Sequence, residues 1–391
     1  MNTDPEMQRP IDRMAEDCRR RLPLLQSGVA LNHAGISPQP LSEGIAGFEA
    51  ARARTLPMEA LTPLGGLKAE IRASYAALLG VRPEEIAITR HTAEGVNFVA
   101  QGFPWNQGDR ILTVDVEYPS NVYPWWNLRA RGVEVIRVPE RNGRVDIDEF
   151  IGAIDNRVRL VAISHVEFAS GYAFDLDEIS AACRKREIFL FVDVAQSIGL
   201  LPVRLDLADA AAWPTWKWLM GPIGMGGFYL ASKWLPLIRP AFVGSDGMVA
   251  TADYLDYRFE FRPDASRFEY STENVLGLVG TAEALRRARP LFSEIPGDSA
   301  VRRVWRFADE MIDGLRERGF ALYSSTRDGE RSGIFSFTAP GNPAEVAASL
   351  HGQSIEVAVR GGRLRISPHF YNDRQDLARL LDALDGIRRT L

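Results

Sequence analysis

The sequence predicts an α/β fold with a mainly parallel central sheet flanked by helices, followed by a smaller α+β domain at the C-terminal end. Two observations carry this prediction. Short apolar β-type runs alternate with helix-like stretches from about residue 68, and this pattern changes after about residue 280. Strands that alternate with helices are typical of βαβ units, whose parallel strands are buried on both faces. A chain of 391 residues is long enough for two domains.

The large domain is predicted to begin with a helix at Lys68–Leu79 and to contain another helix at Asp175–Lys185. Its strand-like runs are Ile86–Thr89, Arg110–Val116, Val133–Val138, Val158–Ser164, Ile188–Val192 and Met225–Leu230. After residue 280 the predicted elements are strands at Phe320–Tyr323, Gly333–Thr338, Ile355–Val359 and Leu364–Ser367, a helix around Pro343–Leu350 and a last helix opened by Asn372 and Asp373. We therefore predict an N-terminal segment of residues 1–45 that packs with the small domain, a large domain of residues 46–280 and a small domain of residues 281–391.

Composition and charge exclude several classes of protein. The net charge is −5, so no general basic field attracts nucleic acid or an anionic membrane. The N-terminus lacks the apolar stretch of a signal peptide, and no apolar run approaches the length of a membrane span. The two cysteines, Cys18 and Cys183, are too few for a disulfide framework and lack metal-site spacing. These features predict a soluble cytoplasmic protein without a metal site.

Two polar positions stand out against the apolar strands. Asp193 directly follows the strand-like run that ends at Val192, where the ligand edge of an open α/β sheet is expected. An aspartate there can also simply cap a turn. Lys217 lies between two tryptophans and precedes a glycine-rich stretch. Burial would lower the pKa of this lysine and make it a better amine nucleophile, although its stem could also lie along aromatic faces at the surface.

Together, Asp193 and Lys217 predict a site for pyridoxal phosphate. This cofactor needs a lysine for its Schiff base and an acid beside its pyridine nitrogen. The acid keeps that nitrogen protonated, so the ring can accept electrons from the substrate.

The chain resembles the class V aminotransferase superfamily of fold-type I pyridoxal phosphate enzymes. Within it, the chain is most similar to the cysteine desulfurase-like and isopenicillin N epimerase-like branch. The resemblance runs from Leu31–Gly35 to the last helix and is carried most specifically by Asp193–Gln196 and Lys217. It implies an enzyme that acts on a small amino acid. It also implies a homodimer with shared active sites.

The resemblance assigns roles to the residues around the cofactor ring. It implies that Lys217 forms the Schiff base and moves the proton at the substrate α-carbon. Asp193 is expected to pair with the pyridine nitrogen, and Gln196 to bond the ring hydroxyl oxygen. Tyr118, where many relatives carry histidine, is expected to stack on the ring, although it could be a packed loop residue.

The resemblance also implies a cradle for the cofactor phosphate. Thr92 and Ala93 stand at the start of a predicted helix, where backbone N–H groups bind phosphate well. Thr92 could equally be a plain helix cap. Thr215 is expected to supply a hydroxyl, since Pro214 and Trp216 replace residues common in relatives. The segment Arg267–Asn274 is expected to carry Thr272 to the phosphate in the neighbouring subunit.

Arginines near the C-terminus are expected to bind the substrate. The resemblance implies that Arg365 binds the substrate carboxylate with its planar fork, with help from Arg360. His33 is expected to line the same pocket. Phe168 departs from the family pattern, because many relatives carry asparagine at this position. This departure predicts either a changed pocket wall or a shifted role for Glu167.

The outcome of the reaction is left open by these motifs. Cysteine desulfurases carry a nucleophilic cysteine before the arginine motif, whereas here Val359–Arg363 contains none. We therefore expect transaminase-like chemistry at the α-carbon, with epimerase or carbon–sulfur lyase chemistry as the alternative. A non-catalytic regulatory dimer that only binds the cofactor is an alternative of another class. The retained Arg365 argues against it.

Overall fold

The structure is a computed structural model that describes residues 5–56, 59, 62–251, 253, 255–272, 274–293 and 299–389. The first four residues of the predicted N-terminal segment and Glu273 lie outside this range. The described helices are α1 (Pro5–Arg21), α2 (Leu24–Ser27), α3 (Ser42–Arg52), α4 (Leu64–Leu79), α5 (Thr92–Gly102), α6 (Tyr123–Trp126), α7 (Ile147–Gly152), α8 (Leu176–Lys185), α9 (Val275–Ser293), α10 (Ser299–Glu317), α11 (Pro343–Gly352) and α12 (Arg374–Arg388).

The strands pair into two main sheets and two short two-stranded pairings. The strands are β1 (Val29–Ala30), β2 (Ile86–Thr89), β3 (Arg110–Val114), β4 (Glu134–Val138), β5 (Glu140–Arg141), β6 (Arg144–Val145), β7 (Val158–Ser164), β8 (Phe189–Asp193), β9 (Ala210–Pro214), β10 (Gly226–Leu230), β11 (Ala321–Leu322), β12 (Phe335–Thr338), β13 (Ile355–Glu356), β14 (Ala358–Arg360) and β15 (Arg363–Ile366).

The larger sheet has seven strands in the order β2-β10-β9-β8-β7-β3-β4. Strands β4, β3, β7, β8 and β9 are parallel, and β10 runs antiparallel to both of its neighbours. Apolar side chains from both faces of this sheet pack under helices, in two core clusters. The structure confirms the predicted α/β class with a mainly parallel, helix-covered sheet.

Strand β9 is an interior strand of this sheet, between β10 and β8, yet the sequence did not predict it. Its residues read Ala-Ala-Ala-Trp-Pro, and alanine is depleted in strands. Small side chains are needed here because α5 crosses closely: a side chain at Gly95 would place its Cβ 2.6 Å from the Ala212 Cβ. The alanines of β9 therefore meet a packing requirement, and the strand propensities of single residues do not predict such a requirement.

The second sheet has four antiparallel strands in the order β11-β12-β15-β14. Helices α10, α11 and α12 contribute apolar side chains to the core beside it. Residue Val29 of the N-terminal segment pairs with Ile355 of β13, and Val29 and Leu31 join the core beside the small sheet. Helix α9 runs across the predicted domain boundary at residue 280, and the three predicted domain ranges stay a prediction. Within the described residues, no helix is long and apolar enough to cross a membrane.

Candidate active site

The candidate site forms where parallel strands end. Ser164, the last residue of β7, is in register with Asp193, the last residue of β8, and Asp193 is in register with Ala212 of β9. Strand β9 ends at Pro214, three residues before Lys217. Because parallel strands present their carboxyl ends at one edge, these positions meet on one side of the sheet.

Lys217 sits in a turn that is fixed on both sides. The Thr215 hydroxyl lies 2.6 Å from the Pro222 carbonyl oxygen, inside the same turn. The carbonyl oxygen of Trp216 accepts hydrogen bonds from the backbone N–H and the hydroxyl of Ser37. Thr215 therefore stabilises the lysine turn. Its single hydroxyl hydrogen cannot be given to a phosphate while it bonds Pro222.

The charges of Lys217 and Asp193 influence each other. Burial lowers the pKa of Lys217 to about 8. The nearby Asp193 carboxylate opposes this shift, whereas the positive charges of Arg365 and Arg360 add to it. Burial raises the pKa of Asp193 to about 6. The positive charge of Lys217 and the hydrogen bond from the Ala195 N–H both lower this pKa and so limit the rise. The lysine can thus lose and regain a proton near neutral pH, and the aspartate is mostly ionised there.

Tyr118 forms a wall of the site. The Lys217 Nζ atom lies 5.4 Å from the centroid of the Tyr118 ring. The ring is 43% exposed and contacts Phe168 edge to face, at 5.2 Å between ring centroids. The structure therefore brings Tyr118 to the lysine, as the stacking role requires, and it adds Phe168 to the same wall.

Helix α5 begins beside β9 with unused backbone donors. His91 caps the helix by accepting a hydrogen bond from the Glu94 N–H at its Nδ1 atom, 3.1 Å away. The N–H groups of Thr92 and Ala93 at the first two helical positions have no intrahelical acceptor, as at every helix start. Such donors, together with the positive end of the helix dipole, suit a phosphate group.

Arg365 is almost completely buried, at 1% exposure. It donates to the Phe168 carbonyl oxygen (2.7 Å) and to the Asn32 Oδ1 atom (3.2 Å), while its Nε atom has no hydrogen-bond partner. Burial lowers the pKa of Arg365 to about 9, helped by Arg360 and opposed by Tyr118. Among the described residues neither Arg360 nor Arg365 has an acidic partner. The site thus holds two guanidinium groups that an anionic ligand would neutralise.

His33 does not lie where the sequence placed it. Its ring is fully buried, bonds the Tyr371 hydroxyl through Nε2, and stacks on Trp218 with ring centroids 5.8 Å apart. Burial and the neighbouring His369 lower the pKa of His33 well below its usual value. With no exposed surface, His33 supports the residue after Lys217 from behind and does not line an open pocket.

Thr272 lies apart from the lysine in its own chain. It is exposed and lines a surface pocket of about 240 Å³ together with Arg90, Glu94 and Tyr270. Lys217 and Asp193 do not line this pocket. The expected role of Thr272 therefore depends on a second subunit.

The sequence did not predict that two buried glutamates, Glu117 and Glu167, lie together behind Tyr118. Glu117 accepts hydrogen bonds from the Ser164 hydroxyl (2.7 Å) and the Asn121 side chain (3.0 Å), and burial together with Asp193 raises its pKa to about 7. Glu167 is fully buried, and neither of its carboxylate oxygens has a hydrogen-bond partner. No local pattern signals this pair, because the two residues meet only through the packing of separate loops.

Glu167 is expected to make the cofactor-free protein less stable as pH rises. Burial raises the pKa of Glu167 well above its ordinary value of 4.5. The negative charges of Glu117, Glu140 and Asp193 raise it further. The folded state then keeps a proton that the unfolded state has lost. The free energy of unfolding should therefore fall above pH 4.5, by up to about 1.4 kcal/mol per pH unit for this group. Glu167→Gln should make the fall between pH 5 and pH 8 shallower in urea unfolding experiments.

A surface variant provides the control for this prediction. Glu149 forms an exposed ion pair with Arg141, and Glu149→Gln should leave the slope over the same pH range unchanged. Identical slopes for Glu167→Gln and the parent protein would show that Glu167 is ionised in the folded state.

Neither cysteine belongs to the site. Cys18 is buried in α1, and Cys183 is buried in α8 beneath the large sheet. Burial raises the pKa of each thiol to about 12, so neither is a thiolate at neutral pH. The turn between β14 and β15 contains Gly361 and Gly362, both with positive φ, and no cysteine.

Known proteins resemble this chain along almost its whole length. The family model described as aminotransferase class-V matches residues 65–380. A probable cysteine desulfurase of Methanothermobacter thermautotrophicus is 28% identical, over 95% of this chain and 98% of that protein. A probable cysteine desulfurase of Pyrococcus abyssi is 26% identical, over 97% of this chain and 99% of that protein.

Solved structures resemble the fold equally closely. The apo structure of a cysteine desulfurase from Thermococcus onnurineus NA1 has a TM-score of 0.85 and 25% identity, and the match covers 96% of this chain and 98% of that one. A complex between the cystine C–S lyase C-DES and its reaction product cysteine persulfide has a TM-score of 0.86 and 25% identity, over 93% and 98% of the two chains.

Proposed function

Because this chain belongs to the class V aminotransferase family, we propose that it is a pyridoxal phosphate-dependent carbon–sulfur lyase that acts on a cystine-like amino acid. One observation carries the choice of reaction: Lys217, Asp193 and Arg365 come together at a site that contains no thiol. Cleavage of a carbon–sulfur bond in which the substrate itself supplies both sulfur atoms needs no cysteine from the protein. The relatives support this alternative more than the transamination that the sequence suggested.

Pyridoxal phosphate is the cofactor of this enzyme, and the residues present fit it. Lys217 has no ionic partner within hydrogen-bond distance among the described residues, so its amine is available for a covalent bond. Asp193 offers a carboxylate for the ring nitrogen, and Tyr118 offers an aromatic face. The unused N–H groups of Thr92 and Ala93 offer a place for the phosphate. When bound, the cofactor supplies an electron sink for the pair left when a bond at the α-carbon breaks.

Lys217 supplies the acid–base chemistry. With its pKa lowered to about 8 by burial, its amine can take the α-proton of the substrate and later return a proton. One cystine and one water would give one cysteine persulfide, one pyruvate and one ammonia, as the Cα–H and Cβ–S bonds break. Phe168 and Tyr118 provide an aromatic wall beside the lysine.

The two arginines support a substrate with more than one negative charge. Arg365 presents a buried guanidinium that suits the α-carboxylate of the reacting half. Arg360, which is partly exposed and donates only to the Val359 carbonyl oxygen, is placed to bind a second carboxylate. Cystine carries a carboxylate on each half, which matches this pair of cations.

The enzyme is proposed to act as a cytoplasmic homodimer. The segment of residues 255–261 exposes large apolar side chains, with Leu255 at 74%, Tyr257 at 85% and Phe259 at 70%. A surface of this kind needs a partner, and a second copy would also bring Thr272 to the neighbouring phosphate site. Both cysteines are free, as expected in a reducing compartment.

Arg365→Lys is expected to raise the KM for cystine about 30-fold to 100-fold with a smaller change in kcat. Lysine keeps the charge but loses the planar fork that binds a carboxylate through two parallel hydrogen bonds. Steady-state kinetics with saturating pyridoxal phosphate would measure both constants.

Arg363→Lys is the matched control, because Arg363 lies two residues away on the same strand and stacks on Tyr323, 3.5 Å from the ring centroid. Its KM should stay within about twofold of the parent value. Equal effects of the two substitutions would remove Arg365 from the carboxylate site.

The proposed reaction is tested with cystine and the purified holoenzyme. Pyruvate, ammonia and persulfide should form in equal amounts. The Cys18→Ser/Cys183→Ser double variant should keep the parent rate, because both thiols are buried away from the lysine. Alanine, which has no β-leaving group, serves as the control substrate and should give no pyruvate.

Other outcomes would point to other reactions. Keto acid formed from alanine, with the amino group retained on the cofactor, would indicate transamination. Inversion of the α-carbon without loss of sulfur would indicate an epimerase. Loss of activity in the double cysteine variant, with folding intact, would indicate a protein persulfide. Each of these results would overturn the lyase proposal.

A further inference from the structure

The side-chain amide of Gln196 is held by two groups that each make only one kind of hydrogen bond. The Trp218 Nε1–H donates to the Gln196 Oε1 atom (3.0 Å), and the Gln196 Nε2 atom donates to the Ala34 carbonyl oxygen (3.0 Å). An indole N–H can only donate and a backbone carbonyl can only accept. If the amide were flipped, its NH₂ group would face the Trp218 N–H and its oxygen would face the Ala34 carbonyl oxygen, and both hydrogen bonds would be lost. These two partners therefore fix the orientation of the Gln196 amide.

This orientation leaves one donor of Gln196 unused. The amide nitrogen carries two hydrogens, and only the one directed to Ala34 has an acceptor among the described residues. Gln196 is 4% exposed and lies three residues after Asp193, the last residue of β8. A buried N–H without an acceptor is costly, which indicates that the bound cofactor supplies one.

Trp218 is itself held firmly in place. Its carbonyl oxygen accepts from the His369 Nε2 atom (3.0 Å). The proton is on Nε2, because the Nδ1 atom of His369 accepts from the Phe370 N–H (2.7 Å). The indole also stacks on His33 and passes so close to Gly333 that a Cβ there would lie 2.6 Å from the Trp218 Cη2 atom. His33 of the N-terminal segment, Gly333 just before β12 and His369 just after β15 thus all contact the residue beside Lys217.

We propose that Trp218 is a positioning residue for the cofactor: its indole N–H orients Gln196 so that Gln196 presents an N–H to an oxygen on the pyridoxal ring. This inference rests on the proposed function, in which the pyridine nitrogen lies at Asp193, three residues before Gln196. It differs from a packing role, in which Trp218 would only fill the space between Gly333 and His33.

A double-mutant cycle separates these two roles. Trp218→Phe keeps most of the ring but removes the donor, leaving the Gln196 Oε1 atom buried without a partner. We expect pyridoxal phosphate to bind about tenfold more weakly, and the pH at which its visible absorption band titrates to shift. In a Gln196→Ala background, Trp218→Phe should add no further change in either quantity, because the amide that it orients is absent.

Trp213→Phe provides the matched control. Trp213 is fully buried four residues before Lys217 and packs edge to face on Tyr75, without a bond to Gln196. This variant should lower thermal stability but leave cofactor affinity and the spectral titration unchanged. If Trp218→Phe folds poorly, 3-benzothienylalanine at position 218 replaces the N–H by sulfur and keeps the ring shape. It should give the same loss of affinity and the same spectral shift.

Three results would overturn the inference. Equal effects of Trp218→Phe in both backgrounds would make Trp218 a packing residue. Wild-type affinity and titration with 3-benzothienylalanine would show that the N–H does not matter. Wild-type behaviour of Gln196→Ala would show that Gln196 does not contact the ring. Failure of the proposed function is distinguished separately, because it would appear in the parent protein, as no pyruvate from cystine or as no cofactor on Lys217.

Discussion

Lys217→Ala is expected to lower turnover of cystine about 10³-fold or more. This substitution removes both the amine that bonds the cofactor and the base that takes the α-proton. Pyridoxal phosphate could still bind through the other contacts of the site, but borohydride should no longer fix it to the protein. Single-turnover kinetics and mass spectrometry of the reduced protein would measure the two effects.

Lys233→Ala is the control for this variant. Lys233 is exposed, forms an ion pair with Asp209 and lies outside the site, so its loss should leave turnover within about twofold of the parent rate. Comparable loss of activity in both variants, or retained activity in Lys217→Ala, would contradict the assignment of Lys217.

Asp193→Asn is expected to lower turnover about 10²-fold to 10³-fold while leaving the protein folded. The carboxylate of Asp193 is buried at the end of β8, and it is the acid placed to keep the ring nitrogen protonated. Asparagine has nearly the same shape but carries no charge, so the electrostatic stabilisation of the reaction is lost. Steady-state kinetics and the absorption spectrum of the bound cofactor would both change.

Asp209→Asn tests whether the charge must lie at this position. Asp209 directly precedes β9, at the opposite end of the same sheet, and accepts hydrogen bonds from the Leu190 N–H and the Trp234 indole. Its replacement should lower stability without changing the cofactor spectrum. A small effect of Asp193→Asn on turnover would remove Asp193 from the ring nitrogen.

The sequence predicted the strands whose residues favour a sheet by themselves. Runs rich in valine, isoleucine and phenylalanine, such as Val158–Ser164, lie within two residues of the observed strands. The interior strand at Ala210–Pro214 was missed because its small residues serve the close approach of α5. The predicted strand Ile355–Val359 divides into β13, which pairs with the N-terminal segment, and β14, which joins the small sheet. Such divisions depend on partners that are distant in sequence.

The candidate site was predicted where polar residues follow apolar strands. Lys217, Asp193 and Tyr118 come together as expected, and Arg365 is close enough to influence the lysine. His33 was expected to line the substrate pocket, whereas its buried ring packs against Trp218. The link between Trp218 and Gln196 could not be read from the sequence, because it depends on side-chain directions that only the packed structure defines.

The most direct test of this account is the location of the cofactor. The purified protein, loaded with pyridoxal phosphate, should show a visible absorption band that borohydride abolishes. Peptide mapping should then find the pyridoxyl group on Lys217. The absence of a band after loading, or a pyridoxyl group on Lys68, Lys185 or Lys233, would contradict the site described here and leave only the fold.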